Sequence, residues 1–162
     1  MSLLDKSIQN YIFKIPNLRN EIWDEKGNQL GEFTGGFTNK LLDSDKSVIL
    51  KFKLVGLKAN AFGNKKTVFD SSGNLIGTIM TEEGTDKSLV VSVRDKNGNE
   101  ILNGRIYNKE NVPYNIVDNQ ANVIAQLTKT SHVLRTIWNL HIVELSYDRA
   151  FLLCFFWILI YG

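Results

Sequence analysis

Twelve apolar or aromatic side chains follow one another without a break from Ala150 to Tyr161, reading Ala-Phe-Leu-Leu-Cys-Phe-Phe-Trp-Ile-Leu-Ile-Tyr. A helix that is apolar on every face has to be buried, either in protein or in lipid. Length separates the two. Thirteen helical residues from Arg149 to Tyr161 reach only about 20 Å, whereas the hydrocarbon core of a bilayer takes ~20 apolar residues and ~30 Å. The segment is therefore expected to be a helix over about 149–161, capped by Asp148 or Ser146 and wrapped by the remainder of its own chain.

What can do the wrapping is written in a repeated turn. The stretches Ile22-Trp-Asp24-Glu-Lys-Gly27-Asn28-Gln-Leu30, Val68-Phe-Asp70-Ser-Ser-Gly73-Asn74-Leu-Ile76, Val93-Arg-Asp95-Lys-Asn-Gly98-Asn99-Glu-Ile101 and Ile116-Val-Asp118-Asn-Gln-Ala121-Asn122-Val-Ile124 share one scheme. It is apolar-x-Asp-x-x-Gly-Asn-x-apolar, with Ala121 as the one lapse. An Asp opening a turn accepts hydrogen bonds from the backbone just ahead of it, and a Gly in the fourth place takes a positive φ without a steric penalty. That combination is a type I turn with a bulge, a common hairpin connection. The flanks Arg19–Trp23, Gln29–Phe33, Lys65–Phe69 and Ser88–Val93 have the alternating, β-branched or aromatic character of strands. A calcium-loop reading fails, because only the opening Asp recurs from turn to turn, without the alternating acids and closing Glu that the ion needs.

The four aspartates are spaced by 46, 25 and 23 residues, so a degenerate copy is expected near Asp43–Ser47. From Ser7 to Tyr147 there are 141 residues, room for about six hairpins and twelve strands. A barrel of about eight strands fills itself with side chains, while a larger one needs something inside. The expected fold is mainly β: a closed, roughly twelve-stranded antiparallel barrel of hairpin repeats around the hydrophobic C-terminal helix, in one domain over 1–162.

The repeated Asp-x-x-Gly-Asn hairpins and the terminal run Phe151–Tyr161 resemble the tubby C-terminal-like superfamily, which includes tubby proteins, phospholipid scramblases and LURP-one-related proteins. The resemblance covers nearly the whole chain and implies a closed twelve-stranded barrel around a hydrophobic helix. The chain departs from animal scramblases in having neither a Pro-rich N-terminal extension nor a cysteine cluster for palmitoylation. Its short N-terminus is more similar to compact LURP-one-related members.

Chemistry is sparse. His132 and His141 have no cysteine or acidic partner at ligand spacing, and His141 sits with Asn139 opposite Trp138, Leu140 and Ile142 on an expected strand. Ser131 and His132 are adjacent and so point to opposite faces, wrong for a nucleophile and its base. No G-x-S-x-G elbow or phosphate loop occurs. Cys154 lies in the apolar run, where desolvation makes a thiol inert. These readings point to no enzyme, no catalytic residues, no metal and no cofactor.

One cysteine and a polar, charged start at Met1–Lys6 fit a reducing, cytoplasmic setting. A net charge of +2 gives no general affinity for nucleic acid. The charge is uneven, however. Between Lys46 and Phe69 six lysines stand without an acid, and Phe62 falls within the Gly/Asn/Ala-rich stretch they flank. Lys51, Lys53, Lys58, Lys65 and Lys66 are the candidate binding residues, with anionic phospholipid or a membrane surface as partner. The competing reading makes them solvated edge charges that discourage aggregation. The expected function is a noncatalytic tubby-like or LURP-one-related binding domain that meets anionic lipid peripherally. The alternative is a scramblase-like protein whose C-terminal helix leaves the barrel and inserts in lipid.

Overall fold

The turn repeat and the apolar tail meet in one architecture. A computed structural model describes residues 2–15, 20–35, 38–54, 64–107 and 109–161. Its strands are β1 (Asn10–Ile15), β2 (Glu21–Trp23), β3 (Gln29–Thr34), β4 (Asn39–Asp43), β5 (Val48–Leu54) and β6 (Asn64–Asp70). They continue as β7 (Leu75–Glu83), β8 (Leu89–Asp95), β9 (Glu100–Ile106), β10 (Tyr114–Asp118), β11 (Val123–His132) and β12 (Arg135–Ile142), followed by α1 (Arg149–Tyr161). Each strand pairs antiparallel with its neighbours in sequence, and β1 pairs with β12 to close a barrel of twelve. Closure leaves no free strand edge.

Six hairpins share one turn geometry. In each, the first residue's N–H bonds to the fifth residue's carbonyl, as in Asp24 to Asn28 at 3.0 Å and Asp95 to Asn99 at 2.9 Å. The fourth residue's N–H bonds back to the first carbonyl, and its φ is positive: 83° at Gly27, 91° at Gly73 and 89° at Gly98. The motif's closing Asn has a role of its own. In the turn at Asp70, one carboxylate oxygen accepts from the Asn74 backbone N–H and the other from the Asn74 side-chain amide, both at 2.8 Å. The same clasp recurs at Asp24, Asp95 and Asp118. These bonds to the ionised form, that from the Asn side chain foremost, hold all four carboxyls below their ordinary range.

The degenerate copy is present at Asp43–Ser47, with Lys46 at φ 68° in the place of Gly. A sixth turn, Gly84–Ser88, puts Lys87 at φ 61° in that place. It lies at the opposite end of the barrel from the other five. We refer to the two ends as the turn end, with the five Asp turns, and the far end.

Period-two alternation sends Tyr11, Phe13, Leu41, Phe52, Val68, Ile79, Val93, Leu102, Ile116, Leu127 and Leu140 inward, all at most 2 % exposed. They surround α1, in which Leu152 through Phe156 are at 0 % and Trp157 at 3 %. Phe156 packs against Phe13 with ring centroids 5.8 Å apart, and Trp157 stacks on Phe52 at 5.2 Å. Gly104 makes room: a Cβ there would come within 3.0 Å of the Phe155 ring. The Asp148 carboxylate accepts from the Ala150 N–H at 2.8 Å and so caps the helix.

The N-terminal segment covers the turn end, which sequence periodicity did not foretell. Leu3 is fully buried, its N–H donates to Asp43 at 2.9 Å, and its carbonyl accepts the Tyr11 hydroxyl at 3.0 Å. Burial pushes the Tyr11 hydroxyl up to about 12. Arg149, 1 % exposed, donates to the carbonyls of Lys6 and Tyr147, each at 3.0 Å, and ties plug to helix.

Ala121 has to hold φ 65°, a left-handed conformation that costs an L-residue roughly 1–2 kcal/mol. Ala121→Gly should therefore stabilise the protein by about 1 kcal/mol, measured by urea denaturation. Equal or lower stability would show that Ala121 is not strained.

Candidate functional site

Strand alternation decides which of the five candidate lysines can meet a partner. Phe52 on β5 and Val68 on β6 face inward and lie opposite each other, so their sequence neighbours face out. Lys53 and Lys65 are exposed. Lys53 Nζ stands 5.1 Å from the Phe69 ring centroid, on the outer face. Lys51 also faces out, half-buried, with its ammonium donating to the Ser71 carbonyl at 2.7 Å, toward the turn end. Lys58, like Phe62, lies outside the described residues.

Lys66 does not join them. The alternation that turns Lys65 outward turns Lys66 into the barrel beside Val68, where it is 6 % exposed with Nζ 5.4 Å from the Trp157 ring. Desolvation lowers its pKa from the ordinary 10.5. Its inward direction was legible: period two from Val68 reaches Lys66 directly.

The outer face gains a lysine that the sequence stretch left out. Lys40 on β4 lies opposite Lys51 on β5. The register therefore sets Lys40, Lys51, Lys53 and Lys65 on three adjacent strands, with Thr67 and Phe69 between. Of these, Lys40, Lys53 and Lys65 lie toward the far end. Charge is segregated along the barrel axis: the carboxylates of Asp24, Asp43, Asp70, Asp95 and Asp118 gather at the turn end, around the N-terminus of α1. Negative charge there suits the positive end of the helix dipole. The far end also carries Glu82, Glu83 and Asp86 on one flank, β7 and its turn, where Asp86 pairs with Arg105 at 3.1 Å.

Also at the far end, the β11–β12 hairpin closes on the pair His132–Arg135. Its tip, Val133 and Leu134, is 101 % and 84 % exposed. Sequence reasoning passed over this tip because it looked for polar turn residues. The signal was an apolar dipeptide between two strands, where turn chemistry normally places Asn, Gly or Asp.

The remaining candidates for chemistry are placed apart. His141 faces out and its Nδ1 is 2.8 Å from the Asn10 side-chain oxygen. Cys154 is fully buried in α1, and burial pushes its thiol far up. Among the described residues no three His, Cys, Asp or Glu side chains group as metal ligands. A groove of about 350 Å³ on the outer face of β7–β9 is lined by Arg94 and Arg105 together with Glu82 and Glu100, so its charges largely offset one another. No helix among the described residues is long and apolar enough to cross a membrane.

In a comparison with solved structures, the chain is similar to the X-ray structure of a protein from Arabidopsis thaliana, a LURP-one-related protein. The TM-score is 0.55 at 14 % identity, over 97 % of this chain and 95 % of that one. At that identity the likeness is one of fold. No protein-family model matches the chain, and no curated protein matches its sequence.

Lys66→Met keeps a stem against Trp157 and removes a cation that desolvation disfavours. We expect a thermal midpoint at pH 7 equal to or above that of the parent. Because the folded pKa is lowered, the parent recovers stability as pH rises toward 10.5, and any advantage of the variant should shrink over that range. A midpoint several degrees lower would mean that the contact of ammonium with indole outweighs its desolvation.

Proposed function

We propose that this chain is a noncatalytic binding domain of the LURP-one-related, tubby-like kind that docks peripherally on anionic phospholipid. The observation that carries the reading is the placement of Lys53 and Lys65, exposed on adjacent strands toward one end of the barrel, with Lys40 one strand further on. The clasped aspartates sit at the other end, while Glu82 on β7, two residues beyond the Met80 that lies opposite Lys65, offsets part of the field on the β6 side. A lysine near an anionic bilayer contributes about 1 kcal/mol. Three or four give a weak, reversible and salt-sensitive attachment. The acidic flank at β7 restricts which side of the far end can approach.

Insertion of α1 into lipid is the rival reading. The burial of Leu152–Trp157 weighs against it, because withdrawing the helix would strip the inner wall of its apolar partners and admit water.

Vesicle co-sedimentation is the test. The protein should bind vesicles containing about a third phosphatidylserine, and binding should fall steeply as salt rises. The triple variant Lys40→Glu, Lys53→Glu, Lys65→Glu should weaken it by on the order of a hundredfold or more. Binding indifferent to acidic lipid, or unaltered in the triple variant, would remove the proposal.

A further inference from the structure

Among the described residues, the two most exposed large apolar side chains sit side by side at a place that should be polar. Val133 and Leu134 form the tip of the β11–β12 hairpin, at 101 % and 84 % exposure, while the other exposed large apolar residues among those described lie between 36 % and 48 %. One of these, Val112, belongs to the neighbouring connection, which is pinned beside the tip by the Thr130 hydroxyl donating to Asn111 at 3.0 Å. His132 and Arg135 flank the tip as an exposed cross-strand pair. A hairpin tip gains nothing for the fold by carrying Val and Leu, since neither side chain touches the core. An apolar wedge beside the guanidinium of Arg135 matches the layering of a bilayer surface, with anionic headgroups outside and acyl chains beneath.

The topology makes this more than a local coincidence. Around the closed ring, β11 and β12 lie on the side opposite β5 and β6, separated by four strands in each direction. The hairpin tip and the Lys53–Lys65 pair are nonetheless at the same end of the barrel. A flat membrane lying along the β4–β6 wall could not reach the tip. A membrane across the far end reaches both.

Resting on the lipid-binding reading above, we propose that the barrel docks end-on, with its far end against an anionic bilayer, and that Val133 and Leu134 insert between the headgroups. The cations of β4–β6 then hold one side of the rim and the hairpin anchors the other, with the acidic flank at β7 on the arc between them held furthest from the headgroups. The C-terminus of α1, which runs from the turn end to the far end, is directed toward the membrane without leaving the barrel.

The sole cysteine, Cys154, is buried, so a thiol introduced on the surface can be labelled selectively. An environment-sensitive dye would be coupled to Leu134→Cys, and separately to Ser72→Cys on an exposed turn at the opposite end. On phosphatidylserine-containing vesicles, the dye at position 134 should shift to the blue and be quenched by lipids spin-labelled just below the headgroups. The dye at position 72 should remain in water. The unlabelled double variant Val133→Ser, Leu134→Ser should bind these vesicles about tenfold more weakly or worse. Vesicle binding that persists with the dye at 134 in water and the double variant unimpaired would overturn end-on insertion and leave the lipid reading standing. Absence of binding to any anionic vesicle would defeat both. A concentration-dependent blue shift at 134 without vesicles would assign the tip to a second copy of this chain and likewise overturn the proposal.

Discussion

Water exclusion from the barrel interior is the constraint on which the rest of the structure depends. A ring of twelve strands is too wide for its own inward side chains to fill, and α1 is too apolar to remain in solvent. Each resolves the other's difficulty. The contact is intimate: Phe155 presses on Gly104, Phe156 meets Phe13, and Trp157 stacks on Phe52. The ends need attention as well. At the turn end the buried Leu3 and the bonds from Arg149 to the Lys6 and Tyr147 carbonyls draw the N-terminal segment over the helix start.

Around that core, local chemistry keeps strand registers from slipping. A one-residue slip would exchange the inner and outer faces of a strand, and here would bring lysines onto α1. The Asp–Asn clasp guards against this by tying one carboxylate to the backbone N–H and the side chain of the Asn four residues on, and register shifts occur just before the clasped turns, as at Val68/Phe69 and Val93/Arg94. Because each clasp also collects negative charge at the same end, a device that secures register polarises the barrel. The electrostatics that support the lipid reading are in this sense a by-product of the folding code.

How much of this was legible in the sequence follows from how local each signal is. The helix, its Asp148 cap and the clasped turns were readable because composition and capping act within a few residues. The copy at Asp43 was found by spacing alone. The turn at Gly84–Ser88 was not, since Gly84 stands where the motif has Asp and Lys87 takes the positive φ that the motif gives to Gly. Leu3 looked like any residue near a polar start, and only the tertiary fold makes it core. Lys66 was grouped with its neighbours by charge when period two assigns it to the other face. The Val133–Leu134 tip broke an ordinary rule of turn composition, and such a breach is where function is most often found.

The central claim is that α1 is enclosed by its own sheet, and Cys154 reports on it directly. Labelling of the native protein with a thiol reagent, compared with labelling in increasing urea, measures how often the helix becomes accessible. The account predicts that Cys154 reacts only through global unfolding, with a labelling free energy equal to that from equilibrium denaturation, and that anionic vesicles do not accelerate it. Rapid labelling in plain buffer, or labelling triggered by vesicles while the sheet remains intact, would contradict it.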